Sequence, residues 1–193
     1  MHIRLLTAAS ALAFIAAAHA GLREFSQAGT LTIDGGIARS ATLHAACSPD
    51  KDGGALSVDL IVLEANTRKD FDYDDFEGPD AAAGGKALTH LAWTSKSGTT
   101  GISSAAAGWY APEPPQSFMF GISQPSQRRD PPAKLLGAIG AEPGKLVWTQ
   151  TGFDKSTRKL VAAFEFDEAA AMRLRGAIAA CLPDAKPGGK SGG

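Results

Sequence analysis

Six acidic side chains dominate one short stretch of the chain, DFDYDDFEGPD, which we call the acidic loop (residues 70–80). They are Asp70, Asp72, Asp74, Asp75, Glu77 and Asp80. Three aromatic residues, Phe71, Tyr73 and Phe76, alternate with them. Carboxylates at this density favour two kinds of chemistry: coordination of a hard cation such as calcium, or binding to a basic protein surface beside aromatic anchors.

Calcium coordination fits this loop only in part. Asp70, Asp72 and Asp74 have the first three ligand spacings of an EF-hand loop. The sixth position, which requires glycine, is Asp75, and the twelfth, which requires a bidentate carboxylate, is Ala81. The motif is therefore not met. We predict no metal site and no cofactor, and calcium remains the one metal alternative.

Binding to a partner is the second interpretation of the acidic loop. In it the aromatic rings act as anchors while the carboxylates face a basic protein. The predicted binding residues are Asp70, Asp72, Tyr73, Asp74, Asp75, Phe76 and Glu77. The competing interpretation is that the rings enter the core at the end of a strand, and that the acids form a solvated surface before the turn at Gly78 and Pro79. The residues alone leave both open.

Catalytic residues are harder to nominate. Beyond residue 20 the chain has two histidines, His44 and His90, and both fall in predicted strands. No GxSxG motif identifies a nucleophilic serine. We therefore predict no catalytic residue. The enzymatic alternative is a hydrolase of peptide or glycan that uses one of these histidines and an acid as its base and acid.

A second aromatic pair, Trp109 and Tyr110, precedes the proline-rich segment APEPP. Aromatic residues beside prolines often line sugar or peptide grooves, because they offer a flat apolar face and a polar edge. The pair is therefore the other candidate surface, and core packing explains it at least as well.

The first 20 residues have the pattern of a cleavable secretory signal peptide. Arg4 is followed by the apolar run Leu5–Ala18 and by small residues ending at Ala20. The run is shorter than the roughly 20 residues that cross a bilayer. We expect cleavage before Gly21, no membrane anchor afterwards, and export to the periplasm rather than to the medium.

Charge and cysteine content narrow the function classes further. The chain has 19 Lys and Arg and 20 Asp and Glu, and a balanced charge argues against nucleic-acid binding, which needs a concentrated basic surface. Its two cysteines, Cys47 and Cys181, are 134 residues apart. In an exported protein they predict one disulfide, and closing such a loop contributes about 4 to 5 kcal/mol in the chain-entropy model. A metal-binding or reactive thiol would need a neighbouring Cys or His, which is lacking.

Alternation of apolar residues and turn signals predict mostly strands. Thr30–Asp34 and Ala38–Cys47 predict a hairpin around Gly35 and Gly36. Further predicted strands are Ala55–Leu63, Ala87–Ser95, Ile102–Ala111, Ser117–Ser123, Lys145–Thr151 and Lys159–Phe166. Helices are predicted at Pro131–Gly140 and Glu168–Leu182, with Asp130 and Asp167 as their N-caps.

These elements predict an α+β fold, mainly an antiparallel β-sheet with one or two covering helices, including a C-terminal helix. We expect residues 1–20 to be the signal peptide, 21–182 one disulfide-linked domain, and 183–193 a disordered tail. The favoured function is a non-enzymatic protein-binding module of the bacterial envelope, of inhibitor or immunity type, with the acidic loop as its contact. The alternatives are an envelope hydrolase and a structural envelope protein.

Overall fold

The computed structural model describes residues 21–49, 54–68, 70–111, 116–125, 130–153 and 158–182. The expected signal peptide and C-terminal tail lie outside these residues. The described strands are β1 (Arg23–Ile33), β2 (Arg39–Ser48), β3 (Ala55–Val62), β4 (Thr89–Ser95), β5 (Gly98–Ser104), β6 (Ala107–Tyr110), β7 (Phe118–Pro125), β8 (Gly144–Thr151) and β9 (Lys159–Phe166). The described helices are α1 (Ala65–Arg68), α2 (Pro131–Ile139) and α3 (Glu168–Ile178), with 3₁₀ turns at Tyr73–Phe76 and Ala179–Cys181.

The strands form one antiparallel sheet in the order β5-β4-β8-β9-β1-β2-β3-β7-β6. Side chains alternate between its faces, as strand geometry requires. In β2, for example, Leu43 and Ala45 are buried whereas His44 between them is only partly covered. We call the face with the buried residues the inner face, and the opposite face the outer face.

The sheet is curled into a half-barrel. Strands β5 and β6 are its two edges, yet only Ala105 and Ala106 separate them in the chain. An extended chain spans at most about 3.6 Å per residue, so the two edges come within about 11 Å of each other there. The prediction of one strand over Ile102–Ala111 was therefore wrong. That stretch holds no proline or charge to signal the break, and its two halves pair at opposite edges.

Helix α3 packs on the inner face and closes the core over β1, β2 and β9. It buries Ala170, Leu174 and Ile178. Its predicted N-cap is confirmed, since the Asp167 carboxylate accepts a hydrogen bond of 2.7 Å from the Ala170 amide. Helix α2 also begins as predicted, at Pro131, but the Asp130 side chain makes no capping hydrogen bond to any described residue.

The predicted disulfide is confirmed. Cys47 near the end of β2 is bonded to Cys181 in the turn after α3, with 5.8 Å between the two Cα atoms. Both cysteines are buried on the inner face, so the bond fastens the C-terminal helix to the middle of the sheet. Sheet, covering helices and disulfide together confirm the predicted α+β fold. Within the described ranges, no helix has the length and apolarity to cross a membrane.

Candidate functional site

The three aromatic rings of the acidic loop are buried. Phe71, Tyr73 and Phe76 pack against Phe118 and Phe120, which point inward from β7. Ring centroids are 5.1 Å apart for Tyr73 and Phe118 and 5.3 Å for Phe76 and Phe120, the range in which aromatic pairs attract each other. The rings therefore enter the core, as the competing interpretation expected. Tyr73 and Phe76 are almost fully buried, and their packing holds the neighbouring carboxylates in place.

Most of the carboxylates point the other way. Asp72, Asp74, Glu77 and Asp80 are exposed, and Asp75 is half-buried. Beside them lies a cavity of about 650 Å³, which is lined by Ala65, Phe71, Asp72, Tyr73, Asp74, Asp75 and Tyr110. Its acidic lining suits a cationic group. Whether these carboxylates bind a partner stays a prediction.

Backbone hydrogen bonds tie the loop to edge strand β6. The Gly78 amide donates to the Gly108 carbonyl at 2.9 Å, and Glu77 forms a parallel β-bridge with Gly108. Gly78 has a φ of +77°, a left-handed conformation that glycine adopts without strain. The Tyr110 hydroxyl donates to Asp74 Oδ1 at 2.8 Å. Partial burial, followed by this hydrogen bond, raises the pKa of Tyr110, so its hydroxyl stays a donor. The acidic loop is therefore held in position by the packing of its own aromatic rings in the core and by its hydrogen bonds to β6.

Asp70, at the start of the loop, is engaged within the molecule. Its Oδ2 lies 3.1 Å from Nη2 of Arg39, whose side chain is 12% exposed. The Tyr73 hydroxyl is buried near this pair, and burial, with the Asp70 charge second, raises the pKa of Tyr73 to about 12. The sequence predicted Asp70 as a binding residue. In the structure its carboxylate forms an ion pair with Arg39 of the same chain.

Metal coordination gains no support from the geometry. Among the described residues, no group of three or more His, Cys, Asp and Glu side chains is placed to hold a metal ion. The carboxylates of the acidic loop thus do not converge on a common point, which is what a calcium site requires.

A second polar site lies on the outer face, and it was not predicted from the sequence. We call it the outer-face cluster: Glu24, His44, Ser57, Asp59 and Trp109. Asp59 is only 5% exposed although it points outward. Its Oδ2 lies 3.1 Å from His44 Nδ1 and accepts a hydrogen bond of 3.2 Å from the Ser57 hydroxyl. His44 Nε2 lies 3.8 Å from Glu24 Oε1.

His44 and Asp59 form a hydrogen-bonded pair. The hydrogen bond to Asp59 raises the pKa of His44, and the charges of Asp59 and Glu24 add to the effect, whereas partial burial opposes it. Because the imidazole is held through Nδ1, its other nitrogen is turned toward β1. This arrangement can orient the ring and stabilise its protonated form.

Trp109 and Asp59 both reach the space above Gly121, because residue 121 has no side chain. A Cβ built on Gly121 would lie 2.8 Å from Asp59 Oδ1 and also 2.8 Å from Trp109 Cη2. The space above Gly121, which a side chain would otherwise fill, is thus taken by the edge of the indole and by the carboxylate. The rest of the ring is open, and Trp109 is 42% exposed.

His90, the other candidate base, has a different environment. It is exposed on β4, and its Nδ1 lies 3.2 Å from the Ser103 hydroxyl rather than from an acid. A signal for the better pair did exist in the sequence. Asp59 was on the polar face of its predicted strand, and pairing that strand with Ala38–Cys47 across the intervening turn brings it opposite His44.

Comparisons of the chain with protein-family models, curated proteins and solved structures found no match. Functional inference therefore depends on the geometry of the acidic loop and of the outer-face cluster.

Proposed function

We propose that this chain is an exported protein of the bacterial envelope that binds a basic protein partner without catalysis, in the manner of an inhibitor or immunity protein. The acidic loop is its contact. One observation carries the proposal: the buried rings of Phe71, Tyr73 and Phe76 anchor the same segment that presents Asp72, Asp74 and Glu77 to solvent. The rings thus fix the positions of the charges.

Fixed carboxylates suit this role for two physical reasons. A cluster of like charges attracts an oppositely charged protein over distances up to about the Debye length, and so accelerates encounter. A loop already ordered by core packing and by its bonds to β6 loses little conformational entropy on binding. The partner we propose is a small basic protein of the same compartment, such as a wall-degrading enzyme.

The periplasm is the proposed location. The sequence of residues 1–20 supports export, and the Cys47–Cys181 disulfide is compatible with an oxidising compartment.

Binding to a basic lysozyme, used as the probe, tests the proposal. Surface plasmon resonance would compare chain 21–193 with the variant D72N/D74N/D75N/E77Q, which we call the neutralised variant. We expect its association rate at low ionic strength to fall about tenfold, because steering by charge is lost. Affinity of the wild type should drop steeply with added salt, whereas that of the neutralised variant should not.

A second variant controls for net charge. D130N/E142Q/E165Q/E168Q removes four acids that lie in or beside α2, β8, β9 and α3, outside the acidic loop. We expect it to bind like the wild type. Equal weakening in both variants would mean that only overall charge matters, and wild-type protein that does not bind at low ionic strength would overturn the proposal.

One observation favours a second candidate, an envelope hydrolase of peptide or glycan. Asp59, buried beside His44 at 3.1 Å, holds the imidazole as the acid of a catalytic pair holds its base. His44 Nε2 would then take the proton of the attacking nucleophile, either water or the hydroxyl of Ser26, which the β1–β2 register sets directly opposite.

Release of dye from labelled peptidoglycan and from labelled casein tests this candidate. If it is right, H44Q loses activity about a hundredfold or more, the usual scale of general-base catalysis, and H90Q does not. His90 is a matched control because it also lies on a strand but bonds a serine. Wild-type protein no more active than a heat-denatured sample would rule the hydrolase out.

A further inference from the structure

We infer that the exposed ring of Trp109, with the Asp59 carboxylate beside it, binds a lysine or arginine side chain of the basic partner. The site is distinct from the acidic loop and lies on the outer face of the sheet, at β6, the strand to which the loop is hydrogen-bonded. This inference rests on the proposed function and adds to it the residue that supplies most of the affinity.

Exposure of Trp109 is the first observation. Four large apolar side chains are exposed in the described part of the chain: Leu22, Ile37, Trp109 and Met172. Trp109 is the aromatic one, and it lies on a regular strand rather than at a chain end or in a turn. Tryptophan is the residue type most enriched among the energetic centres of protein interfaces, because a large rigid ring loses water and little entropy on binding.

The composition of the acidic loop is the second observation. Its own rings are buried, so a partner meets carboxylates there. Exposed ion pairs steer a partner but contribute little free energy, since both ions keep much of their hydration. A stable interface needs a group that is fully removed from water, and the loop does not offer one.

Position links Trp109 to the loop. The residue before it, Gly108, accepts the hydrogen bond from Gly78 and bridges to Glu77. The residue after it, Tyr110, donates to Asp74. Strand β6 therefore carries contacts to the acidic loop on both sides of Trp109. The Trp109 ring points to the outer face whereas Gly108 and Tyr110 face inward, so a partner has to reach around this edge of the sheet to contact the loop and the ring together.

The chemistry beside the ring selects a cation. Trp109 Cη2 and Asp59 Oδ1 each lie 2.8 Å from the Cβ position of Gly121, so they are at most 5.6 Å apart. His44 and Ser57 hold the other oxygen of Asp59. An ammonium or guanidinium group over the indole is attracted by the ring and by this fixed carboxylate, and the stem of the lysine or arginine side chain packs on the ring.

Kinetics of the same lysozyme probe separate the two contacts. We expect W109A to dissociate about tenfold faster than the wild type, with its association rate and salt dependence unchanged, because a central aromatic contact governs the lifetime of a complex. The neutralised variant should show the opposite pattern. W109F, which keeps an aromatic face, should lie between W109A and the wild type. M172A is the matched control, since Met172 is 66% exposed on α3, and it should bind like the wild type.

Tryptophan fluorescence gives a direct readout. The other two tryptophans, Trp93 and Trp148, are buried, so acrylamide quenching reports mainly on Trp109. A lysine-rich peptide without aromatic residues should protect this fluorescence from quenching in the wild type. Substituting Asp59 by Asn should weaken that protection severalfold, because a neutral amide then replaces the carboxylate.

The outcomes distinguish the inference from the proposed function. Wild-type kinetics in W109A together with slow association in the neutralised variant would overturn the inference and leave the proposed function intact. Wild-type kinetics in the neutralised variant would overturn the proposed function. If a neutral oligosaccharide protects Trp109 fluorescence from acrylamide quenching and the lysine-rich peptide does not, the inference is also overturned, and Trp109 binds sugar instead.

Discussion

The acidic loop and the outer-face cluster are built in opposite ways. The loop is one continuous segment whose rings and carboxylates alternate, so the residues that anchor it and the residues it presents are neighbours in the chain. The cluster takes Glu24, His44, Asp59 and Trp109 from four different strands, and only the strand register brings them together. A contiguous site can be recognised in a sequence, whereas an assembled one depends on the pairing of distant segments.

The two regions also treat charge differently. Carboxylates of the loop, Asp70 apart, are mostly in water, so each can be replaced at little cost to stability. Asp59 is removed from water and depends on His44 and Ser57 for its hydrogen bonds. Substitutions in the cluster and changes of pH there should therefore alter the free energy of unfolding more than substitutions of the exposed carboxylates do. Substitutions of the rings beneath the loop should alter it most.

The largest effect should come from F120A. The Phe120 ring is fully buried and contacts Phe71, Tyr73 and Phe76, so the cavity left behind should lower the free energy of unfolding by about 3–5 kcal/mol. Urea denaturation measures it. M119A is the control, because Met119 precedes Phe120 on the same strand but faces outward. It should lower the free energy of unfolding much less. Equal losses would contradict the role of the rings as anchor.

The next effect, from D59A, compares the two regions directly. Removing the buried carboxylate leaves His44 and Ser57 without their acceptor, which should cost about 1–3 kcal/mol in the free energy of unfolding. D72A removes an exposed carboxylate of the loop and should change it by less than about 0.5 kcal/mol. Urea denaturation of both proteins checks this, and similar values for the two would show that Asp59 is not structurally special.

G121A should perturb the cluster alone. A Cβ there collides with Asp59 and Trp109, and we expect overpacking to cost about 1–2 kcal/mol and to push the indole outward. Acrylamide should then quench tryptophan fluorescence more strongly than in the wild type. Unchanged quenching and stability would mean that Trp109 does not rest above Gly121. The acidic loop should keep its binding rate in this variant.

The smallest effect is a pH dependence of stability that originates at His44. Asp59 on β3 and Glu24 on β1 raise the pKa of His44 above its ordinary value of 6.5. A raised pKa stabilises the folded state fully below about pH 6.5, and this contribution disappears as pH rises through the higher folded value. The melting temperature of the wild type should therefore fall more than that of H44Q between about pH 6 and pH 9. Parallel curves would contradict it.

Much of the secondary structure could be predicted from the sequence, and the errors have physical causes. β3 and β9 begin where alternation predicted them, and Asp167 caps α3 as expected. β1 begins at Arg23 rather than Thr30, because its exposed first half shows weak alternation and is held by pairing with β2. One strand was predicted where the structure has β5 and β6, since no residue between them is a strand breaker. The two strands are separate because they pair with different strands, β4 and β7.

By itself the sequence determined the local features of this protein: which segments alternate, where α3 is capped, that its two cysteines are available to pair, and that acids and rings share one loop. Tertiary structure alone decided which faces meet. It set the rings of the loop on β7, His44 against Asp59, and Trp109 over Gly121. The reason is that a period of two assigns a side chain to a face of a strand, whereas its neighbours on that face depend on strands far away in the chain.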